Sequence, residues 1–146
     1  MAELTDLERL VAEQACTRLV NAYALASDRS DYRTLADMYA EDGVFARPTV
    51  PDKLIEGREA IYQGFLARPP MTIRHVMANV VIDVQSASEA TGESYIVMFR
   101  GPPGEGWQLP AMNPVALVGQ FKDSFVKRDG KWLFKARMGS LAYAAS

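Results

Sequence analysis

The chain has 146 residues, a formal net charge of −2, 49% hydrophobic residues and 23% charged residues. That size predicts a single domain over residues 1–146 with a real core, and the charge balance argues against nucleic acid or an anionic membrane as a partner. The lone cysteine, Cys16, excludes an intramolecular disulfide, and no apolar run reaches the ~18 residues of a membrane span. The acidic, amphipathic start MAELTDLERLVAEQ is unlike a targeting peptide, so the expected location is cytoplasmic.

Leu4, Leu7, Val11, Ala15, Leu19, Ala22 and Ala26 recur at three- and four-residue spacing, which predicts a helix over residues 4–26 with that stripe inward. Thr5 or Asp6 is placed to cap it, and Glu8 and Glu13 suit its early turns. SDRSD breaks the pattern. Asp31 then reads as the N-cap of a short second helix from Tyr32 to Tyr39, with Leu35 and Met38 inward. EDG turns the chain. VFARPTV is extended and, because of Pro48, near an edge or a strand end; DKLIEG is its short partner. After Gly57, REAIYQGFLAR predicts a third helix with Ile61, Phe65 and Leu66 inward, and RPP ends it.

Four strands follow, over residues 72–85, 89–100, 115–128 and 131–142. Asp129-Gly130, between alternating apolar runs, is a strong hairpin signal. The expected class is α+β, helices followed by a curved antiparallel sheet. The first of these strands, within MTIRHVMANVVIDV, carries the chain's one histidine. Residues two apart share a face. Ile73, His75, Met77, Asn79 and Val81 are therefore expected on one face, and Arg74, Val76, Ala78, Val80 and Ile82 on the other. Both are largely apolar, so the strand is expected to be covered on both sides, or on one side by another subunit. A histidine in that setting is usually a hydrogen-bonded core residue; a neutral imidazole there is also able to accept a proton as a general base.

YALASDRSDYRTLADMYAEDGVF, IEGREAI, RHVMANVVID and FVKRDGKWLFKAR, in that order, resemble the SnoaL-like group of the nuclear transport factor 2-like superfamily. The resemblance implies a cystatin-like α+β barrel: a cone whose curved antiparallel or mixed sheet wraps three helices, with a deep apolar pocket between. Within the group, the scytalone dehydratase and hexachlorocyclohexane dehydrochlorinase members pair an aspartate after the first long helix with a histidine in the first long strand. Asp28 and His75 stand at those places, and Asn79 also fits the dehydrochlorinase-like pattern. The electrophilic residues differ. Ser27 and Arg47 stand where the dehydratases have tyrosines, Ser94 where they have a second histidine, and Tyr23 where the dehydrochlorinase has a lysine. The resemblance implies a cofactor-independent lyase or isomerase, dehydratase-like, with a small apolar or aromatic ligand. Polyketide-cyclase or epoxide-hydrolase chemistry and a noncatalytic binding or assembly module stay open. It also implies a homo-oligomer, with a trimer ahead of a dimer.

The residues carry their own weight beside the resemblance. Asp28 is explicable as a turn residue, yet a carboxylate near a helix C-terminus meets the unfavourable end of the dipole. Paired with His75, it would fix the tautomer and stabilise the imidazolium. Tyr23, little more than a turn earlier, either donates to a substrate oxygen or packs on the sheet. Arg47 and Arg137 lie in strand-like segments, where arginine usually snorkels; they are candidates for polarising a carbonyl. Phe45 and Met77 are expected in the core and against the substrate. Asp123 lies between Phe121 and Phe125 on an apolar face and needs a partner.

Residues 101–114 exceed an ordinary hairpin loop. Trp107 makes that segment too apolar for free solvation, so it is expected over the pocket mouth or against a neighbouring subunit. One histidine and one cysteine make no zinc site of the usual kind, and no Gly-rich phosphate loop precedes a helix. No cofactor is expected. A cysteine nucleophile is disfavoured, since Cys16 occupies a core-compatible helix position.

Overall fold

Thr5 opens the first helix, α1 (Asp6–Asp28), with a reciprocal capping box. Its hydroxyl accepts from the Glu8 N–H at 3.1 Å, while the Glu8 carboxylate accepts from the Thr5 N–H at 2.8 Å. These positions come from a computed structural model, which describes residues 3–144. The helix continues through Ser27 and Asp28, two residues past the expected end. Its inner stripe is also rotated from the expected one. Ala12, Cys16, Val20, Tyr23 and Ser27 are buried, whereas Leu7 and Val11 are 68% and 61% exposed. Both stripes are apolar enough to serve. The interior takes the stripe that carries Tyr23 into the aromatic core, and of the expected one Ala26 is buried while Leu4, Ala15 and Leu19 are partly buried beside it.

Asp31 caps α2 (Tyr32–Asp37), accepting from the Thr34 N–H. Tyr39 already belongs to β1 (Tyr39–Ala46), so Glu41, Asp42 and Gly43 form an irregularity within a strand rather than a turn. β2 (Leu54–Glu56) pairs antiparallel with β1. α3 (Arg58–Leu66) buries Ile61 and Phe65 and, against expectation, leaves Leu66 about half exposed. Then come β3 (Thr72–Val84), β4 (Glu89–Gly101), β5 (Leu117–Arg128) and β6 (Lys131–Leu141). The β5–β6 hairpin turns through Asp129 and Gly130 at φ values of 52° and 75°, as a two-residue turn of the primed type requires.

The sheet order is β2-β1-β6-β5-β4-β3. β1 and β6 run parallel and the other neighbours antiparallel. The sheet is curved, mixed and unclosed, with β2 and β3 at its edges, and the core lies between its inner face and the helices. No helix of the described residues is long and apolar enough to cross a membrane.

One irregularity changes the strand parity. The β3–β4 register shifts between Ala78 and Val81, and Asn79 has a φ of 53°. A bulge of this kind adds a residue to one strand and reverses which positions face inward. Ile73, His75 and Met77 face the interior before it; Ile82 and Val84 are buried after it, and Val81 is 60% exposed. The expected five-residue face therefore ends at Met77. On the other side of the sheet, Val76 and Tyr95 are half exposed, so the chain by itself covers β3 on one face.

A β-branched residue at the left-handed Asn79 position is strained, whereas glycine is not. Asn79→Val is expected to lower unfolding free energy by about 1–2 kcal/mol, with Asn79→Gly near wild type, measured by urea denaturation.

Candidate functional site

An edge strand presents N–H groups that no neighbouring strand receives. At His75 of β3, the missing acceptor is Asp28, the last residue of α1. The His75 backbone N–H donates to Asp28 Oδ2 at 3.0 Å, and the ring Nδ1 lies 2.5 Å from Oδ1. Both side chains are largely buried, at 12% and 8% exposure. With the carboxylate accepting from Nδ1–H, Nε2 is the ring nitrogen that Asp28 leaves unengaged. The carboxylate thus sets the tautomer as well as the ring's orientation.

His75 lines a cavity of about 140 Å³ between the helices and the inner face of the sheet. Tyr23, Phe45, Arg47, Met77 and Arg137 line it too, with Asp28 behind His75. Three sequence-predicted residues lie elsewhere. The bulge turns Asn79 to an exposed position off the cavity wall. Ser94 is buried but does not reach the cavity, and its hydroxyl has no hydrogen-bond partner. Trp107 is 90% exposed and does not line the cavity, although the end of its loop packs back against β3 and β4 through Pro110, Ala111 and Met112.

Tyr23 is buried, and its hydroxyl lies 2.9 Å from that of Tyr39. Burial pushes the Tyr23 phenol up to about 12 against the opposing pull of Arg137, so it stays a protonated donor. Arg137 does not snorkel. Its side chain is fully buried, with the guanidinium carbon 4.4, 4.0 and 4.7 Å from the ring centroids of Tyr23, Phe121 and Phe134. Its Nε lies 3.2 Å from Oδ1 of Asp123, an ion pair without an aligned hydrogen bond. Both terminal nitrogens of Arg137 are buried without a hydrogen-bond partner. Asp123 therefore has the charged partner its position demands, while Arg137, a lining residue of the cavity, keeps its donors unpaired within the chain.

Sequence reasoning missed Arg68 and Arg100, which also line the cavity. Arg68 follows α3 directly, where a charge reads as solvated; nothing local marks it as inward. No group of three or more His, Cys, Asp and Glu among the described residues is placed to hold a metal ion. Burial pushes the Cys16 thiol up to about 12, which keeps it unreactive near neutral pH.

The SnoaL-like domain family matches residues 8–138. The chain belongs to the SnoaL-like family. This SnoaL-like chain is similar in structure to a candidate scytalone dehydratase from Novosphingobium aromaticivorans DSM 12444, at 24% identity over 97% of this chain and 94% of that one, with a TM-score of 0.79. It is similar to a type 2 hexachlorocyclohexane dehydrochlorinase at 18% identity over 95% and 90%, with a TM-score of 0.80. A cystatin-like protein of unknown function from Nostoc punctiforme PCC 73102 aligns at 23% identity over 98% and 97%, with a TM-score of 0.72. At these identities the likeness establishes the fold. A comparison with curated protein sequences finds no match.

Within this SnoaL-like domain, burial pushes the Asp123 carboxyl from 3.8 up to about 6, opposed by Arg137. Between those values the unfolded chain has lost the proton and the folded chain has kept it. Stability from this group is present below 3.8 and is lost as pH rises to about 6. Asp123→Asn should remove that loss. The stability difference between variant and wild type is expected to move in the variant's favour across this window, measured by urea unfolding at a series of pH values.

Proposed function

We propose that this protein is a cofactor-independent lyase or isomerase acting on a small, largely apolar or aromatic molecule. One observation carries the reading: His75 lines the cavity with Nδ1 committed to Asp28, so Nε2 is the nitrogen available to a substrate. Nε2 removes a proton from carbon beside a carbonyl or a leaving group. Asp28 stabilises the imidazolium that results. In an elimination, the C–H electron pair forms the new double bond and the leaving group departs with its own pair. In an isomerisation, the imidazolium returns the proton to another carbon.

Arg137 answers for the electrophile. Its guanidinium, packed among three aromatic faces at the cavity wall with both terminal nitrogens unpaired, supplies positive charge that would favour oxygen charge developing in the cavity. Tyr23, still a phenol, adds a donor shared with Tyr39. The names of two neighbours in fold, a dehydratase and a dehydrochlorinase, both denote eliminations. An open cavity and a bonded dyad favour chemistry over a passive binding role.

A panel of small cyclic ketones and β-hydroxy carbonyl compounds in deuterated water, followed by NMR, tests this. Wild type is expected to exchange a carbon-bound proton or expel water from at least one of them. His75→Ala and Asp28→Asn should each slow that reaction by about 10²–10⁴, and Arg137→Met by about 10² or more. If the first two variants both keep wild-type rates while folded, the mechanism is wrong.

A further inference from the structure

The cavity wall carries arginines without matching carboxylates. Arg47, Arg68, Arg100 and Arg137 all reach it, and no Asp or Glu does. Arg137 has Asp123 behind it. The other three form no ion pair among the described residues. Arg47 and Arg68 share one aromatic ring, their guanidinium carbons 5.0 and 5.5 Å from the centroid of buried Phe65.

Neither group is fully satisfied within the chain. Arg68 donates through one terminal nitrogen to the Tyr32 hydroxyl at 3.2 Å and, at 3.4 and 3.5 Å, to the Ser27 carbonyl and hydroxyl, but its Nε is buried without a partner. Arg47 gives one terminal nitrogen to the Gly64 carbonyl at 2.6 Å. Burial, and then the like charge of Arg68, both disfavour the charged form of Arg47. A guanidinium does not escape by deprotonating. Two partly desolvated cations on one ring, with no counter-ion, are costly unless a bound anion offsets them.

We propose that the ligand of this cavity is a small organic carboxylate, its anionic group held between Arg47 and Arg68 and its apolar body extending toward His75. The planar fork of arginine matches a carboxylate, and about 140 Å³ suits a body of one ring. The proposal rests on the cavity being the ligand site, and is independent of His75 acting as a base. It narrows the substrate class from small, largely apolar or aromatic molecules to those that also carry a carboxylate.

Calorimetric titration at neutral pH with benzoate, its neutral isostere benzamide, and phenyl phosphate tests it. Wild type is expected to bind benzoate at least about tenfold more tightly than benzamide. R47M/R68M should abolish that preference, and His75→Ala should keep it. Equal affinities, no benzoate binding up to about 10 mM, or tighter binding of phenyl phosphate overturns the proposal. So does a preference that survives in the double variant or disappears in His75→Ala. Should the double variant not fold, Arg68→Met alone must weaken benzoate more than benzamide, and an unchanged ratio overturns the assignment. A benzoate preference that persists alongside carbon-proton exchange indifferent to His75 would sink the catalytic reading and leave this one standing.

Discussion

The Asp28 carboxylate binds one residue twice, and much of the cavity is referenced to that contact. It joins the last turn of α1 to the backbone of an edge strand through Oδ2 and to the imidazole through Oδ1. The first bond satisfies a backbone donor that the sheet order leaves without a strand partner. The second leaves the imidazole a single nitrogen to offer. The position costs something, since Asp28 sits at the negative end of α1; two hydrogen bonds to one carboxylate offset it. Helix and strand are held so that the cavity wall and the candidate base have one common anchor.

A second pair repeats the pattern on the opposite strands. Asp123 on β5 and Arg137 on β6 are register partners, both fully buried. In each pair the carboxylate stands behind and the nitrogen group reaches the cavity wall. The cavity therefore meets imidazole and guanidinium while its carboxylates are screened by them. Around Tyr23, the rings of Tyr39, Phe45, Phe65 and Phe134 pack edge-on at 5.5–6.4 Å, giving rigid apolar walls between the polar points.

The hairpin, the four long strands and the need of Asp123 for a partner were all readable, because each depends on residues close in sequence or on a simple parity rule. The Asp28 and His75 positions were readable through the family resemblance; their contact bridges 47 residues and has no local signature. The inner stripe of α1 was misread at Leu7 and Val11 because they outrank Ala12 and Cys16 in hydrophobicity, whereas which side faces in is set by contacts with distant strands. Parity failed at Asn79, since a bulge is a matter of pairing with β4 and leaves no mark in an alternating apolar run. Arg68 was missed, and Arg137 was kept only as a candidate expected to snorkel, for the same reason: what surrounds them comes from distant strands and rings.

The parallel pairing of β1 with β6 makes the sheet depend on a contact between distant parts of the chain. β6 is the last strand in sequence, yet it lies between β1 and β5 in the sheet. Until it inserts, β2-β1 and β5-β4-β3 have no hydrogen bonds to each other, and Phe45 and Arg137, register neighbours across that seam, stand apart. Such long-range closure favours slow folding, and it makes the β5–β6 hairpin the keystone that joins the two groups of strands.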